Sequence, residues 1–448
     1  MSRISKLLII ALILVLGGVS IYYVVTFDDK PKSKVEIAKN RSSQAENVLN
    51  ATQKSTENNL ELDQVETEQA NFTPKLSSRM LFMGDVFWGR SVNKWSQDSD
   101  LKYAYPFSGL STFQRENYDA WIANLECPIT TQIRTPAQQE AGLKFTCLPE
   151  YLPEAKKYFD VFSLANNHTD NMQEFDGLAT SRKFIEEANM QHFGSFDNRQ
   201  IQDVCEVVSL PAKITNEKPP VAAIPPLSPS PTLSNQPDKI LKQVQEDKSK
   251  ILIPIAMCGY NNVFSLPSKA SLEVISSYAN YFPVIVLPHQ GQEYVNTADR
   301  YKVSTYRQMI DLGADLVVGA HPHAVQNTEV YKGKLIAYSL GNFIFDQQSN
   351  KTVTRHAALD VFIDFEDVDS ENTKKWLELA KNCQVYKDDC LEQAKTQNLQ
   401  KPKFNLKYDI IASQNEKKVT QKADDQIQAE ILKLTNWEKT LRDLGQIK

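Results

Sequence analysis

The sequence predicts an α/β domain over residues 78–366, and three observations carry that expectation. Apolar runs of strand length alternate with helix-length amphipathic stretches. Histidines and acids gather at the C-terminal ends of those runs, where α/β folds place their sites. The flanks are of a different kind: an apolar N-terminal segment with a polar stretch behind it, and a polar C-terminal region.

Residues 7–26 form the apolar segment, and no charge falls between Leu7 and Val25. A helix of about 20 apolar residues spans the hydrocarbon core of a bilayer. Arg3 and Lys6 precede it, while Asp28 and Asp29 follow. Residues 1–6 are therefore expected in the cytoplasm and the remainder outside. We expect a single-pass signal anchor in the cell membrane; the alternative is a cleaved signal peptide, although no A-x-A site follows the run. Residues 27–77 are rich in Lys, Glu, Gln, Asn and Ser and read as a polar stalk.

Within the domain, RMLFMGD (Arg79 to Asp85) is the first strong strand, followed by DAWIANLE (Asp119 to Glu126) and DVFSLANNH (Asp160 to His168). A helical pattern covers Phe175 to Asn189. Residues 211–250 are dense in Pro and Ser at their start and read as a surface insertion. Strands resume at ILIPIAMCGY (Ile251 to Tyr260), PVIVLPH (ending at His289) and ADLVVGAHPH (ending at His323), with helices expected near residues 268–280 and 298–312. A hairpin turning at Lys332-Gly333 and a last strand, AALDVFIDF, complete the domain. Residues 367–448 are expected to be polar and helical.

The chain of 448 residues is 41% hydrophobic and 23% charged, enough to bury a sizeable core. Its net charge of −5 leaves no basic footprint for nucleic acid. An anionic partner would have to be held by local cations or a metal. No CxxC pair occurs, which argues against a structural zinc site of the usual spacing. Cys383 and Cys390 lie close enough to bridge in an oxidising compartment, or stand as two free thiols.

Asp85, Glu126, Asn167, His168, His289, His321 and His323 all fall at or just after strand-like runs. Imidazole with carboxylate suits Zn, Mn or Fe. On an extended H-x-H segment, side chains alternate with a period of two, so His321 and His323 would face one ion or adjacent ions. Each of these residues alone has an ordinary structural reading, as a cap, a solvated acid or a hydrogen-bonded strand-end histidine. Their joint placement is what suggests a metal site. His192 reads as packing or surface, and His356 is assigned no role.

Six stretches carry a resemblance. They are MGDVFWGR (Met83 to Arg90), NLECPIT (Asn124 to Thr130), SLANNHTDN (Ser163 to Asn171), PHQGQEY (Pro288 to Tyr294), GADLVVGAHPHAVQ (Gly313 to Gln326) and YSLGNFIFD (Tyr338 to Asp346). Together they resemble the CapA/PgsA family of poly-γ-glutamate capsule biosynthesis proteins, whose domain is of the calcineurin-like metallophosphoesterase type. The resemblance implies a four-layer α/β/β/α sandwich and one or two divalent metal ions. It implies Asp85 as a first metal-binding acid, Glu126 as a bridging acid and Asn167 as an amide ligand. His289, His321 and His323 would be the remaining ligands, and His168 a proton donor to a leaving group. Four features depart from the pattern: Phe87 stands where D-x-H would place a histidine, Asn124-Leu125-Glu126 replaces the bridging aspartate motif, Ala320 replaces a histidine, and Gln290 replaces a tryptophan. Losing a ligand at Phe87 weakens one metal position.

Arg90, through its guanidinium fork, and Asn342 are further candidates for contact with an anionic substrate. The alternatives are a structural ion pair for Arg90 and a turn-forming role for Asn342. The implied function is work on an anionic capsular polymer at the membrane, beside membrane-bound polymer synthase subunits. The competing readings are an extracytoplasmic phosphodiesterase acting on a phosphoester, and a non-catalytic scaffold for the synthase.

Overall fold

The strand expected at RMLFMGD becomes the hub of the fold. In the computed structural model, which describes residues 75–171, 176–215, 251–383, 389–415 and 417–447, β1 runs from Lys75 to Val86. It is flanked by β2 (Ala120–Leu125) and β12 (Arg355–Phe365) and touches β5 (Cys205–Thr215) and β11 (Asn342–Ile344) at its ends. One arm of the sheet extends through β2 to β3 (Val161–Ser163) and β4 (Gln191–Phe193), all parallel. On the other side of β1 lie β12, β13 (Phe404–Gln414) and β14 (Gln421–Lys422), all antiparallel. A second arm starts at β5. It passes through β6 (Ile251–Asn261), β7 (Val284–His289) and β8 (Leu316–Val318) to the hairpin of β9 (Thr328–Tyr331) and β10 (Lys334–Ala337).

Alternation along β1 explains how the arms pack. Met80 and Phe82 point to one side and join a core with Val208, Ile255, Val286 and Val317 of the second arm. Leu81 and Met83 point to the other side, into a separate core with Trp121, Phe162, Phe87 and Trp88. The first arm is therefore covered on both faces, and the fold is a mixed α/β sandwich. Side chains as large as Trp121 and Phe82, both fully buried, each contribute about 1.5–3 kcal/mol through lost apolar exposure.

The principal helices are α1 (Arg90–Asp98), α2 (Pro136–Gly142), α3 (Gly177–Glu187), α4 (Lys269–Ala279), α5 (Arg300–Asp311), α6 (Glu371–Cys383), α7 (Cys390–Thr396), α8 (Asp425–Leu434) and α9 (Trp437–Asp443). Asp176, Ser268 and Asp299 cap α3, α4 and α5 by accepting from backbone N–H groups in their first turns. Lys332 and Gly333, both at positive φ, make the expected hairpin turn.

Three expectations are corrected. Residues 367–448 are not simply helical: β13 pairs along its whole length with β12, and Phe404 to Ile410 alternate apolar and polar as a half-buried strand requires. The Pro-rich insertion starts later than residue 211, because Pro211 and Ala212 finish the pairing of β5 with β6, and Lys213 to Thr215 pair with β1. The strand ending at the histidines stops at Val318, and His321 and His323 lie in a turn beyond it. The anchor, nearly all of the stalk and residues 216–250 lie outside the described residues. No helix among the described residues is long and apolar enough to cross a membrane.

Cys383 and Cys390 are bridged, and so are two pairs the spacing did not single out, Cys127–Cys147 and Cys205–Cys258. Cys205 and Cys258 face each other across the β5–β6 ladder.

Candidate metal centre

Strand direction assembles the site. Strands β1, β2 and β3 run parallel, as do β6, β7 and β8, so their C-terminal ends deliver polar side chains to one region. Asp85 lies one residue from the end of β1, Glu126 just past β2, Asn167 and His168 past β3, and His289 at the end of β7. Two glycines allow the close backbone approaches this needs. A Cβ on Gly84 would sit 1.7 Å from the Gly341 carbonyl oxygen, and one on Gly319 would sit 2.0 Å from that of Tyr338.

The predicted ligands converge as two groups that share Glu126. One is Glu126, His289 and His321; the other is Asp85, Glu126 and His323; all are buried. In the first group, His289 Nε2 lies 3.0 Å from Asn167 Oδ1, 3.2 Å from His321 Nδ1 and 3.6 Å from Glu126 Oε1. Ligands about 2.1 Å from a tetrahedral ion stand roughly 3.4 Å apart, so these spacings suit one ion. In the second group, His323 Nδ1 is 3.4 Å from Asp85 Oδ2, and its Nε2 is 3.7 Å from Glu126 Oε1.

The strongest sign of a cation site is Glu126 itself. Both carboxylate oxygens are buried and neither has a hydrogen-bond partner. A buried carboxylate without donors is costly unless a cation satisfies it. The donor set and the orphaned acid thus fit a bound divalent ion.

The electrostatics agree. Burial and the charge of Asp85 push the Glu126 carboxyl up. Burial also opposes ionisation of Asp85, but His323, His289 and Asn124 outweigh it and hold its carboxyl below the usual range. For His323, burial favours the neutral ring, yet Glu126 and Asp85 win and raise it to about 9. His321 is driven far below the ordinary value, by burial first and then by the nearby His289, His323 and Lys302, which keeps it neutral and ligand-competent. Burial, then His289, His323 and Arg90, lower His168 to about 3. Its ring stacks on Phe145 with centroids 4.0 Å apart, and its Nδ1 has no hydrogen-bond partner.

Some predicted residues take other places. His321 (φ 92°) and His323 (φ 55°) are left-handed, not extended, so they diverge into the two groups instead of facing one side together. The Arg90 guanidinium grips Asp346 through Nε (3.1 Å) and Nη2 (2.6 Å), reaches Glu140 through Nη1 (3.1 Å), and lies over the Phe87, Phe145 and Phe345 rings. That is the structural ion pair, with its fork spent inside the protein. Asn342 is fully buried and its amide is committed. Its Nδ2 donates to Gln347 Oε1 (2.9 Å) and the Val353 carbonyl (3.3 Å), and its Oδ1 accepts from His323 Nδ1 (2.8 Å). Asn342 therefore orients His323 and leaves Nε2 to face Glu126. Phe87, in the place of the absent histidine, is packed against Phe145 and Phe345.

The sequence reading missed an asparagine ladder behind the ligands. Asn166 Nδ2 donates to Asn124 Oδ1 (3.1 Å), and Asn124 Nδ2 donates to Asp85 Oδ1 (2.8 Å). Both asparagines lie in stretches already singled out, one beside Glu126 and one beside Asn167, yet their partners are set only by the fold. His192 meets Glu186 at 2.9 Å, and His356 meets the Val353 carbonyl at 2.9 Å. A cleft of about 510 Å³ adjoins Asn167, with Arg199, Phe264 and Leu266 on its walls.

Residues 79–347 match the family described as bacterial capsule synthesis protein PGA_cap. Capsule biosynthesis protein CapA of Bacillus anthracis is 27% identical over 286 residues, covering 61% of this chain and 61% of that protein. PGA biosynthesis protein CapA of Bacillus subtilis (strain 168) is 50% identical over 76 residues, covering 17% of this chain and 20% of that protein. The chain thus spans less than two thirds of the length of each of these relatives.

Proposed function

Because this chain belongs to the bacterial capsule synthesis protein PGA_cap family, we propose that it acts in the synthesis or export of an anionic capsular polymer such as poly-γ-glutamate. In this reading it is held at the cell membrane by residues 7–26 with its main domain outside, and it works through a metallophosphoesterase-like centre. The names of the two CapA relatives support the polymer class, and three disulfides suit an oxidising compartment. Two facing sheet arms flanked by helices suit the four-layer α/β/β/α arrangement.

Glu126 carries the reading: a buried acid without donors, shared by two ligand groups. Glu126, Asn167, His289 and His321 would hold one divalent ion, and Asp85, Glu126 and His323 a second; Mn, Zn or Fe suits the donors. When bound, such an ion supplies Lewis acidity and lowers the pKa of water. The asparagine ladder fixes Asp85, and Asn342 fixes His323. Phe145 holds the His168 ring flat beside Asn167. At neutral pH the His168 ring carries no positive charge, so its proton-donor role depends on an anionic substrate raising its pKa on arrival.

Phe87 favours a second reading. With no histidine there, the Asp85 position has three candidate ligands, and a domain that binds metal without turnover would serve as a scaffold for synthase subunits. Metal analysis of the purified full-length protein, followed by assays on phosphoester and γ-glutamyl substrates, separates the readings. Metal-dependent turnover that is lost in His168→Ala is expected. Metal without turnover on either substrate favours the scaffold, and absence of metal removes both.

A further inference from the structure

Tyr294 has a place at the site that its sequence position does not reveal. Its φ is 63°, a conformation that a bulky aromatic adopts only when its surroundings impose it. Its backbone N–H donates to the Pro322 carbonyl at 2.7 Å, within the turn between His321 and His323. Its ring stacks on His323 with centroids 5.9 Å apart and planes at 28°. The side of the residue away from the turn is open, for Tyr294 is 51% exposed.

A directed chain of hydrogen bonds reaches the same phenol. His323 Nδ1 donates to Asn342 Oδ1, and Asn342 Nδ2 to Gln347 Oε1. Gln347 Nε2 then donates to the Tyr294 oxygen at 2.9 Å. Every donor points the same way, so the amide orientations are mutually determined and each bond polarises the next. The phenol oxygen accepts, which leaves its own hydrogen as the last donor of the series. Glu293, the residue before it, is exposed and lies within reach of the phenol, and the ordinary phenol pKa of about 10 keeps that hydrogen in place at neutral pH.

We propose that Tyr294 is a substrate-contacting residue: its O–H donates to an anionic oxygen, phosphoryl or carboxylate, of a substrate lodged at the Asp85–Glu126–His323 position. The proposal rests on the metal-site reading above. It adds a recognition element that the ligand set lacks, since Arg90 and Asn342 are spent internally. In the absence of substrate, Glu293 is the competing acceptor, and an anion drawn to the ion would displace it.

The test uses full-length protein loaded with Mn²⁺ and inorganic phosphate as the probe, comparing wild type with Tyr294→Phe. Phenylalanine keeps the ring stack and the backbone bond and removes only the donor. Phosphate affinity, measured calorimetrically, should fall about tenfold, the size expected for one hydrogen bond to a charged group. Metal stoichiometry and thermal midpoint should stay unchanged. Equal phosphate affinity in the two metal-loaded proteins overturns the inference, as does a wild type that binds Mn²⁺ but no phosphate. A wild type that takes up no metal overturns the site reading itself, and the inference with it.

Discussion

Metal uptake by this site should expel a proton from His323, and pH should control affinity accordingly. In the metal-free protein His323 is raised from an ordinary 6.5 to about 9, against the effect of burial, by Glu126 and Asp85. The ring is therefore charged at neutral pH, with Nδ1 held by Asn342 and Nε2 turned to Glu126. An ion binding through Nε2 must displace that proton. Apparent affinity should then rise about tenfold per pH unit, or about 100-fold between pH 6.5 and 8.5, worth about 3 kcal/mol. The same shift acts on folding with the opposite trend. A raised histidine pKa contributes stability that is fully present below pH 6.5 and is lost as pH rises through 9, a term of about 3 kcal/mol in the metal-free protein. Calorimetric titration with Mn²⁺ in buffers of different ionisation enthalpy counts the protons released. An affinity that stays flat over this range, with no proton released at pH 7.5, would refute the assignment of His323 as a protonated ligand.

Three further outcomes follow from the geometry. Glu126→Gln removes the acid shared by both ligand groups, so it should abolish tight metal binding and bring His323 down from about 9 toward its ordinary value, as read by NMR titration of the ring. Asn342→Leu strips the acceptor from buried His323 Nδ1 and the donor from Gln347 Oε1. It should cost about 1–3 kcal/mol in denaturant unfolding and weaken metal binding at the Asp85 position more than at the His289 position. Replacing Cys127 and Cys147 together by Ser opens a loop with a sequence separation of 20, which predicts a loss of about 3 kcal/mol in chemical unfolding. Unchanged stability in that double variant would show that the bridge does not constrain the unfolded chain.

How far the sequence could be read depended on the range of the interactions involved. Strands β1, β6, β7 and β12 are apolar runs whose character is local, so their existence could be read directly. The candidate ligands at their ends could be placed for the same reason: a histidine closing PVIVLPH is positioned by the strand before it. What could not be read depends on distant partners. Substrate contact and a structural ion pair both stayed open for Arg90, because Asp346, its bidentate partner, lies 256 residues away. The left-handed turn at His321 and His323 is braced by the Tyr294 N–H, and nothing in H-P-H itself announces it. The alternation of Phe404, Leu406, Tyr408 and Ile410 in β13 was visible, but the polar, helix-prone residues around it masked the signal.

The position of β1 in the chain sets the order in which the protein can mature. Residues 75–86 emerge early, yet β12, which flanks them for eight consecutive pairs from Leu76↔Phe365 to Met83↔Ala358, is made nearly three hundred residues later. Until then, among the described residues, β1 pairs with β2 along its length and with β5 at its start, and the sheet cannot close around it. Contacts of such separation slow folding, because a long loop must close before they can form. The nascent chain therefore spends its synthesis with an apolar strand half-paired and its metal ligands scattered. Asp85 waits for His323, and His323 for Asn342. The candidate metal centre is thus among the last features to form, and its ligand geometry marks a finished molecule.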